Sequence, residues 1–324
     1  MTRSQAAPAA PRRRPDTELV LRYAAFTSTP GGGNPAGVVL DATGLTDDDM
    51  QRIAAEVGYS ETAFLFPAPP EETPDELRRG PAREFTVRYF SPLAEVPFCG
   101  HATIATAVAY AERHGSGELS LRTRAGSVAV STAHEDGRFS ATLVSVPPAV
   151  RPVPAAALEA SLAALRWEAG DLDRALPPRI AYAGASHLVL ATGSAQRLAR
   201  LDYDMAALGT VMAEHDWTTV TLVQRTGGTE FVMRNPFPPG GVYEDPATGA
   251  AAAALGAYLR QLGAIRPPVR LTISQGTHMG RPSELIVDVG PDAGSPVSVT
   301  GAAAAIGPGH LRPGSGPGEQ WGGT

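Results

Sequence analysis

The strongest constraint on the fold is a repeat within the chain. Five segments of the first half recur in the second half, in the same order, about 150 residues later. "GNPAGVVLD" (33–41) is echoed by "GASHLVLAT" (184–192), and "SETAFLF" (60–66) by "TTVTLVQR" (218–225), each of the latter pair following a helical stretch. "REFTVRYFSP" (83–92) is echoed by "TEFVMRNPFP" (229–238), and "SLRTRAG" (120–126) by "RLTISQG" (270–276). Between these lie "CGHATIATAVAYAERHG" (99–115) and "EDPATGAAAAALGAYLRQLG" (244–263), each a small-residue turn, an apolar Ala-rich helix and a closing glycine. One echo would carry little weight, but five in order at one offset indicate an internal duplication.

Both helices are apolar or small nearly all round, the pattern of a helix buried on every side. Each half therefore reads as a sheet-rich domain wrapped around one central helix. The expected boundaries are residues 18–148 and 149–308, with "PPAVRPVP" (147–154) as a linker. The Gly/Pro-rich or polar ends, 1–17 and 309–324, read as disordered tails, and 67–82 as a Pro-rich excursion. "LTDDDMQRIAAEVG" (45–58) reads as a surface helix with Thr46 as N-cap, three aspartates complementing the dipole and Gly58 as the stop.

Composition removes several chemistries. All 27 cationic residues are arginine, so a lysine Schiff base is excluded, and pyridoxal-phosphate chemistry with it. A single cysteine, Cys99, excludes an intrachain disulfide and a multi-cysteine zinc site. His114, His134, His187, His215, His278 and His310 show no HxH or HExxH spacing, so no metal is expected. With net charge −6 and no basic patch between residues 20 and 310, no nucleic-acid partner is expected. No apolar run has the length of a membrane span, and the first 18 residues lack the apolar core of a secretory signal, so a cytoplasmic location and no membrane partner are expected.

A pseudo-two-fold pairing of the halves would bring the turns 98–101 and 244–249 together. Each presents a helix N-terminus, with unpaired N–H groups and partial positive charge, and two of them in one cleft would hold a carboxylate. The plainer alternative is that both turns are helix starts with small residues for packing. Glu61 alternates on one strand face with Ala63 and Leu65; if that face points inward it is a partly buried carboxylate of raised pKa, suited to act as both acid and base.

"GNPAGVVL" (33–40), "SETAFL" (60–65), "RYFSPLAEVPFCGHAT" (88–103), "YEDPATGAAAAALGAYL" (243–259) and "QGTHMGRPSEL" (275–285) together resemble the PhzF family, named for a phenazine-biosynthesis isomerase. The resemblance covers residues 18–307 or so. It implies the diaminopimelate epimerase-like α+β fold: two pseudo-symmetric domains, each a curled, mostly antiparallel β-sheet or barrel around a central α-helix, with the active site between them. It further implies acid–base isomerisation without a cofactor, acting on a small unsaturated or cyclic carboxylic acid of secondary metabolism, in a homodimer. By the same resemblance Glu61 shuttles the proton, His101 and Asp245 bind substrate and tune Glu61, and Asn34 lines the site. Ser60, Gly100, Thr248, Gly249 and Ala250 complete the substrate-binding set.

Ala250 stands where the phenazine isomerase has a serine, so one substrate-binding hydroxyl is missing and the phenazine precursor itself is not implied. Related epimerases use two cysteines, one from each half. Cys99 matches the first, but the second half offers Pro246 and Ala247, so two-thiol epimerisation is not available. Cys99 then reads as a small buried residue that could still touch substrate, and His187, in the echo of the G-N-P turn, could reach the cleft. Two other readings remain: an epimerase of an amino-acid-like substrate, and a non-catalytic ligand-binding member of the fold, against which the presence of Glu61 weighs.

Overall fold

The computed structural model describes residues 20–67 and 82–307. Both expected tails, and the Pro-rich stretch apart from its two end residues, lie outside the described residues.

In chain order the first half runs β1 (Leu21–Ala25), β2 (Asn34–Val39), α1 (Asp47–Val57), β3 (Thr62–Pro67), β4 (Ala82–Phe90), β5 (Glu95–Val96), α2 (Gly100–His114), β6 (Glu118–Thr123), β7 (Gly126–Glu135) and β8 (Arg138–Val144). The second half runs β9 (Ala149–Pro152), α3 (Ala155–Leu165), β10 (Arg179–Tyr182), β11 (Ser186–Ala191), α4 (Ala195–Ala199), α5 (Met205–His215), β12 (Thr219–Arg225), β13 (Glu230–Phe237), β14 (Val242–Asp245), α6 (Gly249–Gln261), β15 (Val269–Gln275), β16 (Ser283–Val289) and β17 (Val297–Ala305).

The repeat in sequence is a repeat in strand pairing. β1–β2 is antiparallel, β2–β3 parallel, β3–β4 antiparallel, β4–β6 parallel and β6–β7–β8 antiparallel. The second half reproduces this series as β10–β11, β11–β12, β12–β13, β13–β15 and β15–β16–β17. Short strands β5 and β14 fold back on β4 and β13 at matching places, just before each central helix.

β17 joins the two halves. It pairs with β16 in its own half, with β8 (Val299↔Leu143) and with β1 (Tyr23↔Ala305). These last two pairings close the first half into a barrel of eight strands, β1, β2, β3, β4, β6, β7, β8 and β17. Closure removes the exposed edges that an open sheet would present. The stretch expected to be a linker is partly strand: Ala149–Pro152 pairs antiparallel with β10. Among the described residues β9 has no second neighbour, and an edge position tolerates the prolines that made it look like a loop.

The central helices fill the two sheets. In α2, His101 to Ala109 and Ala111 are buried; in α6, Ala251 to Leu259 are buried. Alanine at about half of these positions lets the sheet approach the helix closely. At Gly256 even a methyl would lie 3.0 Å from Val287 Cγ1 and from Val289 Cγ2. The smaller helix α1 forms as its sequence dictates, with a Thr46–Asp49 capping box and Gly58 in the left-handed conformation at φ 71°. It covers a satellite core of Met50, Ile53, Phe64 and Phe90.

Phe26, just after β1, is held at φ 63°, a conformation costly for an aromatic residue. Its N–H donates to Ala302 O at 2.7 Å and its carbonyl accepts from Glu284 N–H at 2.8 Å, so two strands of the second half hold this residue of the first. Its ring occupies the space a side chain at Gly301 would need: a Cβ there would lie 2.3 Å from Phe26 Cδ1. Gly301→Ala is expected to destabilise the protein by about 1–3 kcal/mol, the usual cost of overpacking a core. Gly31→Ala, where nothing lies within 4 Å of the added carbon, is expected to leave the urea midpoint unchanged. Equal midpoints for the two variants would contradict this packing.

Candidate active site

The site is assembled where β14 runs into α6 and meets the start of β2 from the other half. Asp245 ends β14. Its Oδ1 accepts a hydrogen bond from Asn34 Nδ2 at 2.8 Å, and its Oδ2 accepts from Thr248 Oγ1 at 2.5 Å. The same Asn34 amide donates to Ala247 O at 3.1 Å. Gln275, at the end of β15, completes the turn by donating to Asp245 O (2.7 Å) and Thr248 Oγ1 (3.0 Å) while accepting from Thr248 N–H (3.0 Å). A second bridge lies beside it: Arg281 donates to Gly33 O at 2.7 Å and to Gly32 O at 2.8 Å. Gly33 has φ 64°, and a Cβ on it would lie 2.3 Å from Ala25 O, so the turn that presents Asn34 requires glycine there.

Glu61 immediately precedes β3. Its backbone carbonyl accepts the Gly37 N–H at 3.1 Å, which fixes the residue against β2. β2 and β3 approach closely because a Cβ at Gly37 would meet Thr62 Oγ1 at 2.5 Å. The Glu61 side chain keeps 18% of its surface exposed, and its Oε2 lies 3.4 Å from His101 Nε2. The Cys99 thiol donates to the same oxygen at 3.4 Å. Ser60 Oγ lies 3.3 Å from His101 Nε2, and Cys99 Sγ lies 3.3 Å from His101 Nδ1.

Both central helices begin here, and neither has a side-chain cap. Cys99 and Thr248 occupy the N-cap positions of α2 and α6 and make no capping hydrogen bond; the Thr248 hydroxyl is used on Asp245 instead. The first N–H groups of each helix are thus left to a ligand or to water, with the partial positive charge of the helix end behind them. Gly249, in the first turn of α6, rests on the Phe26 ring, where a Cβ would lie 3.3 Å from Cζ. Ala250 follows it and is half-buried; Gly100 opens α2, and a Cβ there would lie 3.9 Å from Phe98 Cε1.

The charges are displaced from their usual balance in a consistent direction. Burial raises the Asp245 pKa to about 7; the hydrogen bond from Thr248 opposes this, the Glu61 charge adds to it, and the bond from Asn34 opposes it. Burial lowers the His101 pKa, against the pull of Glu61, so the imidazole is neutral near pH 7. Burial, reinforced by the Glu61 charge, raises the Cys99 pKa well above that of a free thiol. Cys99 is therefore a protonated donor, not a resting thiolate.

The residues expected from sequence thus separate into groups. Glu61, Ser60, Cys99 and His101 form one cluster; Asn34, Asp245 and Thr248 form a second; and charge coupling between Glu61 and Asp245 links the two. His187 is set apart. It is fully buried in β11, its Nδ1 bonds Thr219 Oγ1 at 2.8 Å, and burial lowers its pKa to about 3. In the echo it matches Ala36, not Asn34, and it lies on the strand face of Val189 and Ala191, enclosed by the core. Gln275 and Arg281 were not anticipated. Both lie in the "QGTHMGRPSEL" segment, where a glutamine at the end of an apolar strand was the available signal.

Comparison with known proteins agrees with the fold. The family of phenazine biosynthesis-like proteins, PhzC-PhzF, matches residues 23–309. The trans-2,3-dihydro-3-hydroxyanthranilate isomerase of Pseudomonas chlororaphis is 32% identical over 80% of this chain and 86% of its own. The uncharacterized isomerase YfhB of Bacillus subtilis is 30% identical over 89% of this chain and 95% of its own. Among solved structures, the phenazine biosynthesis protein of the PhzF family from Bacillus anthracis superposes with a TM-score of 0.77 at 25% identity, covering 89% of this chain and 96% of that one. A hydroxyproline epimerase from Agrobacterium vitis shares the fold, with a TM-score of 0.57 at 13% identity over 89% of each chain.

The raised Asp245 pKa has a direct consequence for ligand binding. Below about pH 7 Asp245 is neutral; above it, a negative charge develops beside Glu61 and opposite any bound carboxylate. Affinity for a carboxylate ligand is expected to fall as pH rises through about 7, and Asp245→Asn is expected to remove that step. Calorimetric titration across this range checks both; an unchanged pH step in the variant would assign the titration to another group.

Proposed function

The chain belongs to the phenazine biosynthesis-like PhzC-PhzF family and is an isomerase of that type, and on that premise we propose that it shifts a double bond in a small unsaturated or cyclic carboxylic acid, with Glu61 carrying the proton. The observation that supports this most directly is the placement of Glu61. It is a partly exposed carboxylate 3.4 Å from a buried imidazole, electrostatically coupled to a second carboxylate from the other half, and close to the uncapped start of α2.

In this reading the substrate carboxylate lies against the N–H groups that open α2 and α6. Glu61 takes a proton from the carbon adjacent to the conjugated system, and the electron pair moves into that system. Negative charge spreads toward the carboxylate, where the helix ends are already oriented to receive it. The protonated Glu61 then returns the proton at another carbon of the same system. One carboxylate serves as base and then as acid, so the cycle closes without an electron acceptor or cofactor. The neutral His101 ring and the Ser60 hydroxyl hold the carboxylate of Glu61 and the substrate in place. Asp245, neutral below about pH 7, adds a donor where an ionised group would repel the substrate. The relative from Pseudomonas chlororaphis indicates the substrate class to try first, cyclic dihydro acids. Ala250 gives a shape at the start of α6 that can select among them.

The test is solvent exchange. Incubation with trans-2,3-dihydro-3-hydroxyanthranilate and other unsaturated acids in D2O is expected to give deuterium at the donor or acceptor carbon, read by NMR. Glu61→Gln is expected to slow this by about 10²- to 10⁴-fold, the usual contribution of a positioned acid–base group, with an unchanged circular dichroism spectrum. Exchange at the wild-type rate in the folded variant would remove Glu61 from the mechanism.

A further inference from the structure

The Glu61 cluster has a second chemical property, independent of proton transfer. Glu61, Cys99 and His101 each offer one metal-ligating atom, and these atoms lie within 4.8 Å of one another. The three edges of the triangle are Cys99 Sγ to Glu61 Oε2 at 3.4 Å, His101 Nε2 to Glu61 Oε2 at 3.4 Å, and Cys99 Sγ to His101 Nε2 at 3.8 Å. Zinc bonds of about 2.3 Å to sulfur and about 2.0–2.1 Å to nitrogen or oxygen, arranged tetrahedrally, require separations of roughly 3.3–3.6 Å between donors. Two edges already fall in that range and the third exceeds it by a fraction of an ångström, within reach of a small rotation of the imidazole.

We propose that Glu61, Cys99 and His101 constitute a binding site for a divalent d-block cation, zinc best, held by one thiolate, one imidazole and one carboxylate with the fourth position open to the cleft. The donor set is what selects the metal. Sulfur with nitrogen suits zinc and disfavours magnesium or calcium, which want oxygen alone. The supports are those expected of a metal site. Cys99 and His101 are both buried, so two of the three donors are already held out of bulk water. The Ser60 hydroxyl, 3.3 Å from Nε2, must turn aside for the metal. Binding replaces the thiol S–H bond by a sulfur–metal bond and releases that proton to solvent, with no change of oxidation state.

The consequence for activity rests on the function proposed above. A cation on Oε2 takes the electron pair with which Glu61 would accept the substrate proton, so metal and turnover exclude each other. The spacing of histidines along the sequence gives no hint of this site, because Glu61, just before β3, lies 38 residues before Cys99.

Direct binding tests the site without any activity measurement. The metal-free protein is titrated with Zn2+ by calorimetry and with Cd2+ by ultraviolet absorbance. One equivalent of each metal is expected to bind, with a thiolate-to-cadmium charge-transfer band. Cys99→Ser is expected to abolish the band, and both Cys99→Ser and His101→Gln to weaken Zn2+ binding by at least about 100-fold, more than loss of an outer-shell partner costs. Thermal melting of each variant confirms that it is folded. Cd2+ binding without the thiolate band, or Zn2+ affinity unchanged in both folded variants, would overturn the proposal by placing the metal elsewhere. Deuterium exchange by the metal-free protein reports separately on the isomerase mechanism, so either reading can fail while the other stands.

Discussion

The hydrogen bonds from the Asn34 side chain to Asp245 and Ala247 tie the first turn of one half to the helix start of the other, and the site exists only because of them. A side-chain amide is well suited to this place. Its NH2 group donates to a carboxylate oxygen and to a backbone carbonyl at once, so neither acceptor is left unsatisfied in a buried junction. Arg281 repeats the arrangement a few residues away, with its guanidinium on the carbonyls of Gly32 and Gly33. Together these contacts hold the 32–34 turn against the start of α6.

The strand that closes the barrel serves the same end. β17 belongs by repeat to the second half, yet it completes the sheet of the first. Phe26, held by Ala302 from β17 and by Glu284 from β16, packs its ring against Gly301 and Gly249. The strained conformation of Phe26 is thereby set by the second half, and the start of α6 rests on a residue of the first. The halves are interlocked rather than merely adjacent, which makes a fixed cleft geometry possible without a large polar interface.

Within the cleft, burial acts on three ionisable groups in one direction, toward neutrality. Asp245 is raised, His101 lowered and Cys99 raised. Glu61 has the imidazole and the thiol against one oxygen. A carboxylate beside the uncapped start of a helix is a coherent arrangement for handling a carboxylate substrate and a proton together. The same concentration of donors around Glu61 is what makes the cluster attractive to a soft cation.

Much of this was legible in the amino-acid sequence. The repeat, the two all-round apolar helices and the small-residue turns before them determine the duplicated architecture, because a helix without a polar face has to be enclosed and the same local signals fold the same way twice. The motifs around Glu61, Cys99–His101 and Asp245 marked the residues that meet. What the sequence could not contain is how the halves interlock. "PPAVRPVP" looked like a linker because its prolines cannot sit in a central strand, but at an edge they can, and β9 forms there. His187 looked placed for the cleft because its turn echoes that of Asn34, but its position in the strand matches Ala36, two residues on, and the core encloses it. A glutamine ending an apolar strand was the one local hint for Gln275, and Arg281 had none, since the partners of both lie in turns remote in the chain. The identity of the chemical groups was written in the sequence; their distances, their burial and the charge each carries were decided by tertiary structure, because pairing across the pseudo-two-fold and exclusion of water are properties of the assembled sheet and not of any segment of it.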